Sequence, residues 1–227
     1  MKRGVEALHK VIHDVALRCL LIISLLLSSG NPIFAADTAG LTPTKGGKLP
    51  AITLQIPADP NQKIYLGLSG EGYFRIPQIK AKGVLIKIFN LYCPICQNTA
   101  SAMAEMYDRI ENNPDLKNKI KLIGIGTGNT VLEVDVFKQT YHIPFPIFPD
   151  ENFKIHKALG EVRTPFFIAL KIDGDDYQEI VHTHLGGVTD ARGFLDLMVK
   201  AYRIKQEDLL TKQAGSSPIE PSSAMVP

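Results

Sequence analysis

Two thiols three positions apart, in Cys93-Pro94-Ile95-Cys96, fall where one kind of apolar pattern gives way to another. Before them, Val84-Leu85-Ile86-Lys87-Ile88-Phe89 is a nearly continuous apolar run between Gly83 and Asn90. That is the pattern of a strand buried on both faces. After them, Ala100, Met103, Met106, Tyr107 and Ile110 recur at helical intervals until Asn112-Asn113-Pro114 ends the run. Pro94 suits the first helical position, where its missing N–H had no partner to lose. The local expectation is strand, two-cysteine turn, helix.

That placement has chemical consequences. A thiol attacks a disulfide only as thiolate, and an ordinary cysteine, with a pKa of about 8.5, is mostly protonated at neutral pH. Unpaired N–H groups at a helix start favour the anion, so Cys93 is expected to be the acidic, attacking thiol. Cys96, one turn on and nearer the core, is expected to resolve the mixed disulfide that results. Two other readings of the pair exist. A purely structural bridge would close too small a loop to constrain the unfolded chain much. Half of a zinc site would need two more ligands. His182 and His184, on one face of an expected strand, are the only candidates, and nothing in the sequence brings them to Cys93; they read as solvent-facing strand residues.

The cysteine count depends on what precedes. Lys2, Arg3, Lys10 and Arg18, then an apolar run from Cys19 to Leu27, then Ile33-Phe34-Ala35-Ala36, have the layout of a secretory signal peptide. The apolar run is short of the ~20 residues of a membrane span. Residues 1–36 are therefore expected to be a leader, cut after Ala35 or Ala36, with an uncleaved membrane anchor as the alternative. Its removal takes four basic and two acidic residues, turning 25 against 23 into 21 against 21. A neutral mature chain gives no reason to expect nucleic acid as a partner. It also leaves Cys93 and Cys96 as the only cysteines of an exported, expectedly periplasmic, protein.

Further along, residues 37–62 read as a linker or irregular lead-in with one β-like run, Ile52 to Ile56. Tyr65 to Leu68 and Tyr73 to Ile76, split by Gly70-Glu71-Gly72, suggest a hairpin. Ile120 to Ile125 is a second buried strand and Val131 to Tyr141 a second helix. Pro144 to Pro149 reads as a proline-spaced loop, followed by a short helix near Phe153 to Leu159. Phe166 to Ile172 and Glu179 to His182 form an antiparallel hairpin around Gly174-Asp175-Asp176, and Asp190 to about Leu210 a last helix. Residues 213–227, rich in Ser, Pro and Ala, read as a disordered tail. This order implies an α/β fold, with a central mixed sheet flanked by helices on both faces.

The segment from Lys80 through Phe89 to Cys96 resembles the opening of the thioredoxin superfamily, and is similar to exported thioredoxin-like proteins of the TlpA and redoxin group. Glu161-Val162-Arg163-Thr164-Pro165-Phe166-Phe167 resembles the family's loop whose proline is cis and faces the two cysteines. The resemblance runs from about Tyr65 to Tyr202 and implies a thioredoxin fold over residues 63–212. It also implies that Thr164 and Pro165 pair with an extended substrate segment as an added strand. Tyr92, Pro94 and Ile95 of the turn complete the expected substrate contacts. One position departs from the family: thioredoxins carry an acidic residue six positions before the first cysteine, and this chain has Lys87.

The resulting expectation is a thiol–disulfide oxidoreductase that needs no cofactor and no metal. It would act on exported proteins with thiols or disulfides and exchange electrons with a membrane or periplasmic thiol partner. Rival readings are a thiol peroxidase of the peroxiredoxin type and a non-enzymatic binding or redox-latch protein. Peroxiredoxins carry Thr three positions and Pro seven positions before the reactive cysteine, where this chain has Asn90 and Ile86. Gly124-Ile125-Gly126-Thr127-Gly128 mimics a dinucleotide loop, but its third glycine comes one residue early, and a glycine-rich turn is the expectation.

Overall fold

The structure is a computed structural model that describes residues 42–174 and 177–203. The expected leader and tail, and turn residues Asp175 and Asp176, lie outside the described residues.

Strand β1 (Thr53–Gln55) pairs antiparallel with β2 (Tyr73–Arg75), and between them runs helix α1 (Pro60–Leu66). The hairpin expected from Tyr65 to Ile76 is therefore wrong. Tyr65 and Leu66 end a helix whose local signals are complete: Asp59 accepts the Asn61 N–H at 2.8 Å, Pro60 opens the first turn, and Gly67 closes it at φ 66°. The partner of Tyr73–Arg75 comes instead from the lead-in. That segment is tied down by Leu49, Ile52 and Leu54, all buried, and the expected boundary at residues 62 and 63 falls inside α1.

The main sheet has five strands. Its centre is β3 (Gly83–Phe89), buried at every residue. On one side β4 (Ile120–Thr127) and then β5 (Ile147–Asp150) run parallel to it. On the other side, β6 (Phe166–Asp173) and β7 (Tyr177–Leu185) run antiparallel as a hairpin. Parallel neighbours need crossovers, supplied by α2 (Pro94–Asn98) with α3 (Ala100–Glu111), and by α4 (Val131–Thr140). Short α5 (Lys154–Ala158) and terminal α6 (Ala191–Ala201) complete the set.

Side chains alternate across β3. Val84, Ile86 and Ile88 face Leu54, Leu66, Phe74 and Phe148, the layer beneath β1, β2 and α1. Leu85 and Phe89 face Cys96, Met103, Met106, Phe137, Phe194 and Met198, the layer under α2, α3, α4 and α6. Lys87 lies on this second face, so its register sends a lysine into the helical layer that covers the cysteines.

Three further expectations are revised. The single helix after Pro94 is split at Thr99, whose hydroxyl donates to the Ile95 carbonyl at 2.7 Å, a back-bond that bends helices. The Pro144 to Pro149 loop ends in β5, where Pro149 is tolerated because the strand is at the sheet edge. Gly124 and Gly126 are inside β4 rather than in a turn: a side chain at Gly124 would meet Ile147 and the Phe89 ring, and one at Gly126 would meet Val134. Of the three, Gly128 alone, at φ 65°, is a turn glycine.

Candidate functional site

β3 carries the chain to Asn90, where a hydrogen-bonded turn begins. The Asn90 side chain accepts the Tyr92 N–H and donates to the Thr127 carbonyl, both at 2.8 Å. Its backbone carbonyl accepts the Cys93 N–H at 3.1 Å. Buried Asn129 accepts the Leu91 N–H at 2.9 Å, and the Gln97 amide donates to the Leu91 carbonyl at 2.8 Å. Polar side chains from β3, the end of β4 and α2 thus hold the turn from three sides. No local pattern marked Asn129 or Gln97, because their partners are set by the packing of separate elements.

Cys93 occupies the N-cap of α2, and the Cys96 N–H donates to its Sγ at 3.3 Å. Both cysteines are free, Cys93 partly exposed and Cys96 fully buried. Burial pushes the Cys93 thiol up, but hydrogen bonds from the Cys96 side chain and backbone, from Thr164 and from the Ile95 backbone outweigh it, leaving Cys93 below its ordinary value. Cys96 moves the other way, pushed up to about 12 by burial and by sharing its proton with Cys93. Two thiols of one motif thus receive opposite acidities from exposure and hydrogen bonding.

The segment before β6 closes the site. The Thr164–Pro165 peptide bond is cis, and the Thr164 carbonyl is 3.6 Å from the Cys93 Sγ. Pro165 is buried and Thr164 partly exposed. Pro94, Tyr92 and Ile95 are exposed around Cys93, so all seven residues expected at the site except Cys96 and Pro165 are open to solvent in part or in full. Tyr92 is anchored from the side, its hydroxyl donating to Glu133, which also accepts the Thr130 N–H at the start of α4.

Two further features meet the site only through packing. Lys87 is 2% exposed, and its Nζ donates to the Cys96 carbonyl at 3.1 Å. Burial lowers its amine to about 8, against an opposing pull from Cys96 and Cys93. The loop after β7 also reaches the site. The Gly186 N–H donates to the Pro165 carbonyl at 2.9 Å, and Gly187 packs so close to α2 that a side chain there would press on Ile95 and Thr99. The Gly186-Gly187 pair was the available signal, since adjacent glycines mark close backbone approach.

His182 and His184 do share a face of β7, but they are not solvent-facing. Both are half-buried against the Phe194 ring of α6, with centroids 6.4 and 5.4 Å apart, and His184 also stacks on Phe167 at 5.9 Å. The strand alternation was read correctly; the cover of α6 over that face was not. Among the described residues no group of three or more His, Cys, Asp or Glu side chains could hold a metal, and no helix is long and apolar enough to cross a membrane.

A central mixed sheet between helical layers, with two cysteines at the start of a helix, is the thioredoxin fold. Solved structures agree on the fold. One is a putative thiol:disulfide interchange protein DsbE from Chlorobium tepidum, 13% identical, with 70% of this chain and 98% of that one aligned at a TM-score of 0.54. Another is the thioredoxin domain of a thiol-disulfide oxidoreductase from Bacteroides vulgatus, 15% identical over 70% and 99% of the two chains, at 0.51. The chain belongs to the AhpC/TSA family, whose model matches residues 46–181. Among curated proteins it is similar to the thiol-disulfide oxidoreductase ResA of Halalkalibacterium halodurans, 26% identical over 123 residues, which are 54% of this chain and 64% of that protein. ResA of Bacillus thuringiensis subsp. konkukian is 27% identical over 106 residues, covering 46% and 58%. The chain thus spans somewhat less than two thirds of the length of these relatives.

Proposed function

We propose that this protein is a thiol–disulfide oxidoreductase that exchanges the Cys93–Cys96 pair with exported proteins through a mixed disulfide on Cys93. The observation that carries it is the division between the two sulfurs: Cys93 is accessible, hydrogen-bonded and acidified, while Cys96 is buried and holds its proton. In the reducing direction, the Cys93 thiolate attacks one sulfur of a partner disulfide and the other partner sulfur leaves as thiolate. Cys96 then loses its proton and attacks the Cys93 sulfur, and the second partner sulfur departs. Two electrons pass from the pair to the partner; the oxidising direction is the reverse.

Thr164 and Pro165, with Tyr92, Pro94 and Ile95, form the proposed contact surface for an extended partner segment. The leader expected at residues 1–36 supports an exported, periplasmic location. A membrane or periplasmic thiol protein would restore the pair. A thiol peroxidase is the rival reading, but the residue three positions before Cys93 is Asn90, whose amide is already committed to Tyr92 and Thr127. No hydroxyl at that position supports a peroxidatic cysteine.

The test is turnover. Purified protein should reduce insulin disulfides with dithiothreitol or oxidise a reduced test protein, and Cys93→Ser should abolish both. Cys96→Ser should trap mixed disulfides with clients. Full activity in Cys93→Ser would overturn the reading; rapid peroxide consumption without protein exchange would replace it with a peroxidase.

A further inference from the structure

Lys87 is a fully buried side chain on the helical face of the sheet that has chemistry to offer and that the proposed exchange does not use. Its ammonium sits under α2, in contact with the Cys96 carbonyl. Its own strand presents the Phe89 ring and α4 the Phe137 ring, each 5.7 Å from Nζ to centroid. Its sheet neighbours in register are Gly124 of β4 and Phe167 of β6, neither ionisable. α2 presents Cys96 and Cys93, and these are the groups whose charge acts on it. A buried cation normally keeps a permanent anion beside it. This one has two thiols, and thiols carry charge only in the reduced protein.

We propose that Lys87 is a redox-linked proton site: its ammonium balances the thiolate of the reduced pair, and the proton it holds leaves when the pair becomes a disulfide. The proposal rests on the exchange reaction above. In the dithiol protein the Cys93 thiolate and the buried Lys87 ammonium balance each other's charge. When Cys93 bonds to a partner sulfur, its negative charge leaves on the departing thiolate. An unpaired buried ammonium is costly, so the Lys87 proton passes to solvent and a neutral amine remains. Cys96, still a thiol, now has a base in its own layer. Its proton passes to Lys87, the Cys96 thiolate attacks the Cys93 sulfur, the S–S bond to the partner breaks, and the partner leaves as thiolate. The finished disulfide offers Lys87 no anion, and the amine again releases its proton. Over the cycle the pair loses two electrons to the partner. The Cys96 proton and the Lys87 proton are released, and they match the two thiolates that the partner carries away.

The sign is opposite to that of a carboxylate at this position. A cation favours thiolate, hence the reduced pair, and makes the disulfide a stronger oxidant. Lys87 therefore acts on the poise of the pair as well as on its proton.

The experiment follows the lysine directly. Protein labelled with 13C at lysine Cε is titrated in the dithiol and disulfide states, and the Lys87 resonance is assigned by its loss in Lys87→Met. Oxidation is expected to lower the Lys87 midpoint by about one pH unit or more, a tenfold change in proton affinity. In Lys87→Met, the Cys93 thiolate absorbance should titrate at higher pH. The equilibrium constant for oxidation of the pair by glutathione disulfide should rise roughly three- to tenfold, where tenfold corresponds to 29.6 mV. Methionine fits among Phe89, Phe137 and Phe167, and the wild-type titration stands even if that variant folds poorly. Equal Lys87 midpoints in both redox states, or an unchanged glutathione equilibrium in a folded Lys87→Met, would overturn the proposal. A Lys87 shift in a protein that exchanges with no protein disulfide would support it while overturning the client reaction.

Discussion

Replacing Lys87 with methionine is expected to stabilise the reduced protein at neutral pH, although it removes a hydrogen bond. Burial lowers the amine from its ordinary 10.5 to about 8, and Cys96 and Cys93 only partly oppose that fall. At 1.36 kcal/mol per pH unit, holding the ammonium in the fold costs about 3 kcal/mol. The unfolded chain binds this proton up to 10.5 and the folded chain releases it at about 8. Between those values the unfolded state holds more protons, so stability rises with pH; the cost is complete below the folded value and gone above the unfolded one. Methionine is one atom shorter, keeps the unbranched shape of the side chain and needs no solvation. Against the gain stand the Cys96 carbonyl, deprived of its donor at about 1 kcal/mol, and the lost ring contacts at roughly 0.5–1 kcal/mol. The net expectation is a gain of about 1–2 kcal/mol at about pH 7, in line with other buried charges replaced by apolar residues. Urea denaturation of both reduced proteins, followed by circular dichroism at about pH 7 and about pH 10, reads the difference. The gain should vanish at the higher pH. A variant less stable at neutral pH, or a difference independent of pH, would refute the reasoning that desolvation dominates this site.

Phe137→Ala should cost about 3–5 kcal/mol in urea, because its ring is fully buried against Phe89 and Tyr141, with centroids 4.5 and 4.7 Å away. A loss below ~1 kcal/mol would mean that α4 repacks freely. Gly83→Ala would drive a methyl to 2.7 Å from the buried Tyr202 ring and should lose about 1–3 kcal/mol. The check is its thermal midpoint, which an unstrained contact would leave at the wild-type value. Thr130→Ala removes the hydroxyl that accepts the Glu133 N–H at 3.2 Å and should cost about 1 kcal/mol. Iodoacetamide should alkylate Cys93 with a pH midpoint below that of a free cysteine and leave Cys96 untouched while the fold is intact, which peptide mapping resolves. Equal labelling of both would contradict the burial of Cys96.

Much was legible without coordinates, because much of it is local or periodic. Val84 to Phe89 announced a strand buried on both faces, the spacing from Ala100 to Ile110 a helix with one apolar side, and Pro94 the start of that helix. These are properties of neighbours in the chain, and they put Cys93 at a helix start and Cys96 one turn deeper. The end of α1 was legible too, in Asp59, Pro60 and Gly67, and was misread because the apolar runs Tyr65 to Leu68 and Tyr73 to Ile76 flank Gly70-Glu71-Gly72. The tertiary structure decided whatever depends on which distant elements meet. That β2 pairs with β1 across α1, that α6 covers His182 and His184, and that Gly187 abuts Ile95 follow from packing that no local pattern encodes. Lys87 shows the boundary. Its place in a buried run could be read from the sequence, but whether its amine escaped to water or lay under α2 depended on strand register, and register sent it to the cysteines. The acidity of each thiol is likewise a product of assembly: the sequence supplies two equal cysteines, and burial, the Cys96 N–H and the approach of Thr164 make them unequal.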